Sequence, residues 1–558
     1  SIDGKCNNKI NPFAGVVATP LKRLIQPEYG DGLSAPRRSV SGGELPNPRM
    51  ISNALNDTKT ASRHVNAMFV TFGQFITHDL VLTPETKGKS SKRVNGVEVN
   101  CSCSNPHHSC VNIPVPRGDP LHATTTCIPM KGTKVVHGCG NYPAENINLL
   151  PSYIDGNMIY GSSEEMLQTL RDQSSGKKHI YIYSLLTRKN VPSNISRIIT
   201  CPGHLNPPGS TCFVSGERRL NENIGLSSLH LLFSREHNRI ARRLNFLNRN
   251  WDSDTVFFET RRIIVAMIQV ITYNEFLPLL LGRSYAKRFG LDLLTQGNYF
   301  GYNPTFDAGV SSAFATAAFR YGHTQVGASF SRLASDYIRS EFPTVPMRKA
   351  LFQQAAVVNG SSHSILRGMM EDPALEVAPN MVDDLKNHMF ESSSQPGKDL
   401  LAINIHRGRL HGLPGYNKYR EFCGLNRARN WSDLASTINE SMVTKLSAIY
   451  SHVDDIDLMI GGIAETPLSA GSVGPTFGCI IAHQFRDVRK GDRFWFENPG
   501  IFSKGQLQEL RRASFSRVIC DNMENMTTIS PYAMLLSTVD SNSRINCGNI
   551  EPLNLALW

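Results

Sequence analysis

Two histidines lie in segments whose spacing suits a buried reactive site. Gln74 and His78 are four residues apart, so on a helix both side chains project from one face. A second histidine, His323, follows Arg320 by three residues, which is about one helical turn. Two such histidines on separate helices can face each other across a cofactor. Histidines that only pack in a core have the same spacing, so spacing alone leaves both interpretations open.

The elements that must position these histidines are predicted to be mainly α-helical, because apolar residues recur at helical spacing and sustained alternation is scarce. The clearest such segments are residues 62–82, 226–248, 255–282, 309–323, 345–357, 430–450 and 505–519. Without a linker-like stretch, residues 1–558 are predicted to form one domain. Two parts stand apart from the helices: an irregular amino-terminal arm over residues 1–60, and a polar, cysteine-rich loop excursion over residues 86–139.

Composition indicates a folded globular protein and disfavours two function classes. The 558 residues are 40% hydrophobic and 19% charged, with a net charge of +11. The basic residues are scattered without a nucleic-acid motif, so nucleic-acid binding is not expected, although matrix or cell-surface association is compatible with the charge. The most apolar stretch, residues 263–282, includes Gln269, Glu275 and Pro278, which favours a buried helix over a transmembrane segment.

Cysteines and glycosylation sites together favour a secreted protein. There are twelve cysteines, an even number that suits disulfides formed in an oxidising compartment. Six Asn-X-Ser/Thr sequons begin at Asn56, Asn194, Asn359, Asn430, Asn439 and Asn525. The sequence starts without a signal-like segment, so we expect a mature form from which a signal peptide has been removed.

A series of ordered motifs resembles the animal haem peroxidases over nearly the whole chain. The motifs are Gly73-Gln74 before His78-Asp79, Tyr153-Ile154-Asp155-Gly156 before Tyr160-Gly161, Arg219 and Glu222, Arg235-Glu236-His237-Asn238-Arg239, Arg320-Tyr321-Gly322-His323-Thr324, His411-Gly412-Leu413-Pro414-Gly415-Tyr416, Gly491-Asp492-Arg493-Phe494-Trp495 and Ile519-Cys520-Asp521-Asn522. The resemblance implies a largely helical domain with haem b between central helices. It also implies cleavage of hydrogen peroxide and oxidation of a halide, pseudohalide, phenol or protein tyrosine.

The resemblance assigns one face of the haem to His323. This residue matches the iron ligand, and Asn404 matches the residue that accepts a hydrogen bond from the other ring nitrogen. Arg320 and Arg407 match residues that pair with the haem propionates. For Arg407, an ordinary surface salt bridge remains an alternative. His237, within a charged helical segment, is interpreted as structural.

The opposite face carries the residues that the resemblance links to peroxide. His78 matches the base that takes a proton from peroxide and returns it to the departing oxygen. Arg219 matches a fixed positive charge beside the breaking bond, and Gln74 is expected to position peroxide. For this chemistry His78 must be neutral at working pH.

Two departures from the family pattern concern covalent attachment of haem. Thr77 stands where mammalian relatives have an ester-forming Asp, and Asn223 stands where myeloperoxidase has Met. Glu222 matches the second ester-forming carboxylate. We therefore predict at most one covalent link, through Glu222, and a haem that is too weakly oxidising to oxidise chloride.

The resemblance also implies a calcium site. It would join Asp79 to oxygens of Pro151, Tyr153, Asp155 and Asn157, which suits a hard cation. Pro151 and Asn157 replace the usual Thr and Ser, so their backbone carbonyl and side-chain amide would have to substitute for hydroxyls.

Three disulfides are implied by the resemblance. They join Cys201 to Cys212, Cys423 to Cys479, and Cys520 to Cys547. The other six cysteines are expected to pair in and around the amino-terminal loops, with partners left open: Cys6, Cys101, Cys103, Cys110, Cys127 and Cys139.

Two other functions remain possible at this point. The Lys490-Gly491-Asp492 tripeptide resembles an integrin-binding motif and, with the sequons and the basic charge, would suit a haem-containing adhesion or structural protein. A structural turn is the favoured interpretation of this tripeptide. Thr77 before the histidine is also found in cyclooxygenases, so a fatty-acid dioxygenase is the second alternative.

Overall fold

A computed structural model describes residues 1–86, 101–103, 110–122, 125–136, 142–171, 186–187, 212–357, 361–392 and 395–558. Helices dominate it, which confirms the mainly α class. The α-helices are Pro48–Ala54, Ala67–Leu80, Asn157–Tyr160, Glu164–Leu170, Ile224–Leu247, Ser253–Ile271, Leu277–Leu281, Arg283–Arg288, Ser312–Thr316, Met347–Ala350, Ser362–Glu371, Asp383–Lys386, Leu400–Leu410, Tyr416–Phe422, Glu440–Ile449, Leu458–Ala464, Pro475–Gly491, Lys504–Leu510 and Phe515–Asn522. A π-helical turn spans Thr272–Phe276, and the 3-10 helices are Arg218–Asn221, Ala318–Thr324, Trp431–Ser436, Val453–Asp455, Cys547–Asn549 and Leu555–Leu557.

The strands are short and serve to tie loops together. One three-stranded antiparallel sheet joins Thr19–Pro20, Glu145–Asn148 and Val135–Val136. The remaining described strands form antiparallel pairs: Ala61–Asn66 with Pro373–Leu375, Ile113–Pro114 with Cys127–Ile128, Leu186–Thr187 with Phe213–Val214, Ser329–Phe330 with Val345–Pro346, and Thr528–Ile529 with Ile545–Asn546.

The helix Ile224–Leu247 lies at the centre of the core. Asn223 caps its start by accepting a hydrogen bond from the Leu226 backbone N–H. Its neighbours are the helices Ala67–Leu80, Ser253–Ile271, Ser362–Glu371 and Phe515–Asn522. Most of its first three turns are buried on all sides, and only toward its carboxyl end does one face become exposed. This packing fixes the helix Ala67–Leu80, which carries Gln74 and His78.

The most apolar segment is a buried helix, as predicted. In the described part of the chain, Ser253–Leu281 is the one helical stretch long and apolar enough to span a membrane, and 72% of its most apolar window is buried inside the protein. The polar residue Gln269 is satisfied there, because its side chain donates to the Ile154 carbonyl at 2.8 Å.

Five helical predictions were wrong in part. Residues 62–66 lie in the strand Ala61–Asn66, residues 430–450 divide into the 3-10 helix Trp431–Ser436 and the α-helix Glu440–Ile449, and residues 505–519 divide into the α-helices Lys504–Leu510 and Phe515–Asn522. Within residues 345–357 the α-helix Met347–Ala350 stops after one turn, because Leu351 then pairs with Asn223 and the Phe352 backbone N–H donates to the Glu222 carbonyl. The backbone is helical again at residues 355–357. Residues 309–323 divide into the α-helix Ser312–Thr316 and the 3-10 helix Ala318–Thr324.

The disulfide predictions are confirmed where the structure describes both partners. Cys423 pairs with Cys479 and Cys520 with Cys547. Two further bonds lie in the cysteine-rich excursion, Cys101–Cys110 and Cys103–Cys127. Cys6 is a free, exposed thiol, contrary to the expectation that it would pair. The predicted Cys201–Cys212 bond and the partner of Cys139 involve residues outside the described ranges.

The described sequons lie on the surface. Asn56, Asn430, Asn439 and Asn525 are all exposed, as carbohydrate attachment requires. Asn194 and Asn359 lie outside the described residues. His237 is fully buried and shares a hydrogen bond of 2.9 Å with the Tyr160 hydroxyl, which supports its structural interpretation.

A buried arginine connects the amino-terminal arm to the core. The Arg49 side chain is completely buried on the helix Pro48–Ala54, inside the arm. It forms ion pairs with Asp119 at 2.8 Å and with Asp399 at 2.7 Å, and donates to the Asn387 side chain at 2.9 Å. Burial of such charges is tolerated because every one is paired and hydrogen-bonded.

Arg49→Ala is expected to lower the free energy of unfolding by roughly 3–5 kcal/mol, because it leaves two buried carboxylates without their counter-charge. Chemical denaturation followed by circular dichroism measures the change. Arg38→Ala, at a neighbouring exposed position, is the control and should change the value by less than about 0.5 kcal/mol. Equal effects of the two substitutions would contradict the prediction.

Candidate active site

The predicted site residues meet in one cavity of about 1330 Å³. His78 lies on its wall on the helix Ala67–Leu80, and His323 lies on the 3-10 helix Ala318–Thr324. The cavity is also lined by Gln74, Arg219, Glu222, Arg320 and Arg407. Asn404 lies behind His323 on the helix Leu400–Leu410. Gln74 and Arg407, more than 300 positions apart in the sequence, thus line the same cavity.

A hydrogen-bond chain orders the wall around His78. The Asn223 side-chain amide donates to Gln74 Oε1 at 2.9 Å, and Gln74 Nε2 donates to Glu222 Oε2 at 3.0 Å. That same carboxylate oxygen lies 3.6 Å from His78 Nε2. This series of hydrogen bonds holds Gln74 in one orientation, with its side-chain amide next to His78.

His78 is held as a neutral imidazole. Burial lowers its pKa well below the usual value, and the positive charge of Arg219 lowers it further. Its Nδ1 is buried and has no hydrogen-bond partner among the described residues. The ring is therefore available as a base at neutral pH.

Arg219 is fixed by a carboxylate that sequence reasoning missed. Burial disfavours its charge, but Glu217 lies 2.5 Å from its guanidinium, and the pKa of Arg219 is raised overall. The guanidinium also donates to the Val81 carbonyl at 2.7 Å. Glu217 lies two positions before Arg219 and caps its 3-10 helix, and that spacing was the signal available in the sequence.

Glu222 has a pKa close to neutrality. Burial raises the pKa of its carboxyl group to about 7, although the nearby Arg219 charge opposes this shift. Its side chain is 32% exposed toward the cavity. The carboxyl is thus accessible to a molecule bound there and exists in both protonation states near pH 7.

The arrangement behind His323 differs from the expectation. Asn404 Nδ2, rather than its oxygen, faces His323 Nδ1 at 2.9 Å, because the Arg320 guanidinium donates to Asn404 Oδ1 at 2.9 Å. Asn404 could accept from the ring after a half-turn of its amide once Arg320 bonds elsewhere. Burial, followed by the charge of Arg320, lowers the pKa of His323 to about 3, so this ring is neutral and can ligate a metal.

Arg320 and Arg407 line the cavity without an ion-pair partner among the described residues. Burial lowers the pKa of each to about 10. Arg320 Nε donates to the Ala315 carbonyl and Arg407 Nη1 to the Lys131 carbonyl, both at 2.9 Å. Within the described residues neither forms an ion pair, so the surface salt bridge considered for Arg407 is not what the structure has. Two unpaired guanidiniums on one cavity suit a ligand with two carboxylates.

Thr77 and Asn223 are engaged within the protein. The Thr77 hydroxyl donates to the Gly73 carbonyl of its own helix at 2.7 Å, as Thr commonly does in helices. Asn223 orients Gln74, as described above. On this wall of the cavity, Glu222 is therefore the side chain with an oxygen suited to form an ester.

The residues predicted to bind calcium also lie together, outside the cavity. Asp79 is fully buried, and its carboxylate accepts from the backbone N–H of Gly156 at 3.2 Å. Burial raises the pKa of Asp79 well above its usual value, and the charge of Asp155 raises it further. Asn157 is also fully buried, and its Oδ1 has no partner among the described residues. Pro151 and Tyr153, which precede Asp155 and Asn157 on the same segment, are also buried.

The Lys490-Gly491-Asp492 tripeptide forms part of the interior. Asp492 is 3% exposed and accepts hydrogen bonds from the Asn7 side chain at 2.8 Å and the Phe494 backbone N–H at 2.9 Å. Gly491 ends the helix Pro475–Gly491. The structural-turn interpretation fits these contacts, since a receptor could not reach the carboxylate.

His78 and His323 line one cavity together with Arg219 and with two arginines that form no ion pair among the described residues, and this set suits a dianionic, histidine-ligated cofactor. The fit is that of haem. Residues 1–534 match the family described as animal haem peroxidase, and the chain belongs to that family.

Individual relatives agree with this assignment. The chain is 35% identical over 585 residues to peroxidasin homolog pxn-1 of Caenorhabditis elegans, covering all of this chain and 45% of that protein. It is 36% identical over 583 residues to human eosinophil peroxidase, covering all of this chain and 79% of that protein. The structure of peroxidase A from Dictyostelium discoideum superposes with a TM-score of 0.79 at 31% identity, covering 96% of this chain and 98% of that one. The chain spans less than half the length of the peroxidasin relatives it matches.

Proposed function

We propose that this protein is a secreted haem peroxidase that reduces hydrogen peroxide to water and oxidises a small donor. The observation that supports the proposal is that His78 and His323 line one cavity, with Gln74 on the same helix as His78 and the charge of Arg219 near it. The donor classes that suit this chemistry are a halide other than chloride, a pseudohalide, a phenol or a protein tyrosine.

In this proposal His323 ligates the haem iron, and Arg320 and Arg407 pair with the two propionates. When bound, haem b supplies the redox-active iron at which peroxide is activated. Pairing with a propionate would draw Arg320 away from Asn404, whose amide could then turn and accept from His323 Nδ1. That hydrogen bond fixes the ring and increases its electron donation to a metal.

The proton chemistry is assigned to His78. Neutral His78 takes a proton from one peroxide oxygen and delivers it to the other, so that water can leave. Arg219, held by Glu217, presents positive charge where negative charge develops. Gln74, oriented by Asn223 and Glu222, donates a hydrogen bond to the small molecule in the cavity.

A calcium ion is proposed at Asp79, with oxygens of Pro151, Tyr153, Asp155 and Asn157. Two neighbouring buried carboxylates repel each other when both are charged, and a divalent cation would remove that repulsion. Asn157 Nδ2 donates to Asp155 Oδ1 at 3.1 Å in this structure, so a half-turn of the amide would bring its unpartnered Oδ1 to the cation. The site lies directly after His78 in sequence, so the cation would stabilise the end of the helix that carries the base.

Asp79→Asn is expected to abolish calcium binding, since it removes one of two carboxylate ligands. Elemental analysis of purified protein should show about one calcium in the unaltered chain and none in the variant. The thermal transition should fall in the variant and also when the unaltered protein is treated with a chelator. Asp57→Asn, a half-exposed carboxylate elsewhere, is the control. Calcium retained by the Asp79 variant would rule out the site.

Glu222 is proposed as the single covalent attachment point of the haem. In acidified organic solvent, the unaltered protein is expected to retain part of its haem after reaction with peroxide, whereas Glu222→Gln releases all of it, because an amide does not form the ester. Thr77→Val should behave like the unaltered protein, since the Thr77 hydroxyl is bonded within its helix. Haem retained by Glu222→Gln would place the link elsewhere.

Secretion and association with the extracellular matrix are also proposed. The disulfides and exposed sequon asparagines suit an oxidising route, and several relatives are peroxidasins. Immunodetection of the full-length protein in medium and in detergent-insoluble matrix tests both points.

Stopped-flow mixing of the haem-containing protein with hydrogen peroxide tests the central proposal. We expect a rapid change in the haem absorption band that iodide or a phenol reverses. A band that does not respond would favour a haem-containing adhesion or structural protein. Oxygen uptake with a fatty acid, without peroxide turnover, would favour a dioxygenase.

A further inference from the structure

A row of aromatic rings leads from the cavity wall toward the surface. Phe319 lines the cavity, and its ring centroid lies 5.5 Å from that of Phe485. Phe485 is followed by Tyr273 at 6.0 Å, and Tyr273 by Trp495 at 4.7 Å. These four rings, called here the aromatic row, belong to four separate segments of the chain.

Arg489 connects the aromatic row to a tyrosine nearer the surface. Its guanidinium carbon lies 5.5 Å from the Trp495 ring centroid and 4.3 Å from that of Tyr299. Tyr299 is partly exposed, whereas Trp495 and the rest of the row are buried. Tyr299, whose phenol can be oxidised, therefore lies near solvent. It is connected through Arg489 to the aromatic row, whose other end lines the cavity.

The two redox-active side chains inside the row have partners for their protons. The Trp495 indole N–H donates to the buried Glu497 carboxylate at 3.1 Å. The Tyr273 hydroxyl donates to the Phe485 carbonyl at 2.6 Å. Loss of an electron from Trp495 can thus be offset by a shift of its proton toward Glu497. Tyrosine and tryptophan readily lose one electron, and the packed rings of Phe485 and Phe319 fill the space between Tyr273 and the cavity.

We propose that the aromatic row carries single electrons from Tyr299 inward to the cavity, making Tyr299 a second oxidation site for phenolic donors too large to enter the cavity. The proposal rests on the peroxidase activity proposed above, which supplies the oxidant.

The electron balance is that of peroxide reduction. Peroxide takes up two electrons and two protons to give two water molecules. For each electron passed inward, Tyr299 releases its phenolic proton to water and becomes a neutral radical. A phenolic donor at the surface then returns one hydrogen atom, so two donor molecules are oxidised for each peroxide. No bond within the chain is permanently changed.

Spin trapping locates such a radical. The haem-containing full chain is mixed with one equivalent of peroxide and a nitrone spin trap, without a donor, and the adduct is mapped by peptide mass spectrometry. We expect the adduct at Tyr299. Tyr532 is the internal control, because it is 53% exposed and has no place in the row. If oxidation merely followed exposure, Tyr532 would carry the adduct, and that result would overturn the proposal.

Substitutions test the role of the aromatic row separately from the role of Tyr299. Trp495→Phe keeps a ring but removes the indole N–H, and should lower the Tyr299 adduct at least fivefold while the haem band still responds to peroxide. Tyr299→Phe should remove the adduct and slow oxidation of a polymer-linked phenol at least fivefold, with iodide oxidation unchanged. Tyr532→Phe is the matched control for both readouts. If Trp495→Phe does not fold, the proposal is tested by the spin adduct and the phenol oxidation rate of Tyr299→Phe.

The two proposals fail in different ways. If peroxide changes the haem band and iodide is oxidised but Tyr299 carries no adduct, the relay is wrong and the peroxidase assignment stands. An adduct at Tyr299 that persists undiminished in Trp495→Phe would exclude the row as the path. If the haem band does not respond to peroxide, the peroxidase proposal fails and the relay fails with it.

Discussion

Replacing His78 with glutamine is expected to slow the reaction with peroxide by about 10²–10⁴-fold, the usual loss when a positioned base is removed. Haem content should stay the same, because His78 lies on the wall opposite the proposed iron ligand. The observed rate constant in stopped-flow mixing measures the effect. His64→Gln, at an exposed position, should leave the rate unchanged. A loss of less than tenfold for His78→Gln would assign the proton transfer to another group.

The pH dependence gives an independent check on the same residue. Because burial and Arg219 lower the pKa of His78 well below its usual value, the base stays neutral as pH falls through the ordinary histidine range. The rate constant for peroxide should therefore show no loss near pH 6.5 that is attributable to His78. A decline centred at that pH and absent from His78→Gln would contradict the assignment.

Local spacing was enough to predict that Gln74 and His78 share one helix face. Gln74 and His78 are on one helix, and a separation of four residues places them on the same face whatever surrounds the helix. Their neighbour Glu222 is 144 residues beyond His78, and its contact with Gln74 depends on how the helix start at Asn223 packs. Family resemblance supplied Glu222, whereas nothing in the spacing indicated that Asn223 orients Gln74.

Long-range competition explains what the sequence did not predict. Apolar periodicity over residues 345–357 favours a helix, but pairing of Leu351 with Asn223 satisfies backbone groups that the helix would have used. Similarly, the orientation of the Asn404 amide follows from competition between Arg320 and His323 for one side chain. Such outcomes depend on several tertiary contacts at once, which a single sequence does not reveal.

The unpaired arginines connect fold stability with cofactor binding. Removing the Arg320 and Arg407 guanidiniums from water without an ion-pair partner is costly, so the folded protein should gain stability when a dianionic ligand pairs with them. The two sides of the cavity then have separate tasks. One wall holds the cofactor through His323 and the arginines, and the other handles protons through His78.

His323→Gly is expected to abolish ligation of the haem iron, because the other histidine near Arg320 and Arg407 in the cavity lining, His411, is already hydrogen-bonded through both ring nitrogens. The purified variant should contain little haem, and any haem retained through the arginines should lack the spectrum of a histidine-ligated iron. Added imidazole, which fits the space left by the side chain, should restore that spectrum and part of the peroxide reaction. His411→Gly also removes a histidine from the cavity lining, but it should keep the histidine-ligated spectrum, because both ring nitrogens of His411 are hydrogen-bonded to threonine hydroxyls. If His323→Gly kept a full complement of histidine-ligated haem, the iron would have to be bound from the opposite wall, and the division of tasks between the two histidines would be reversed.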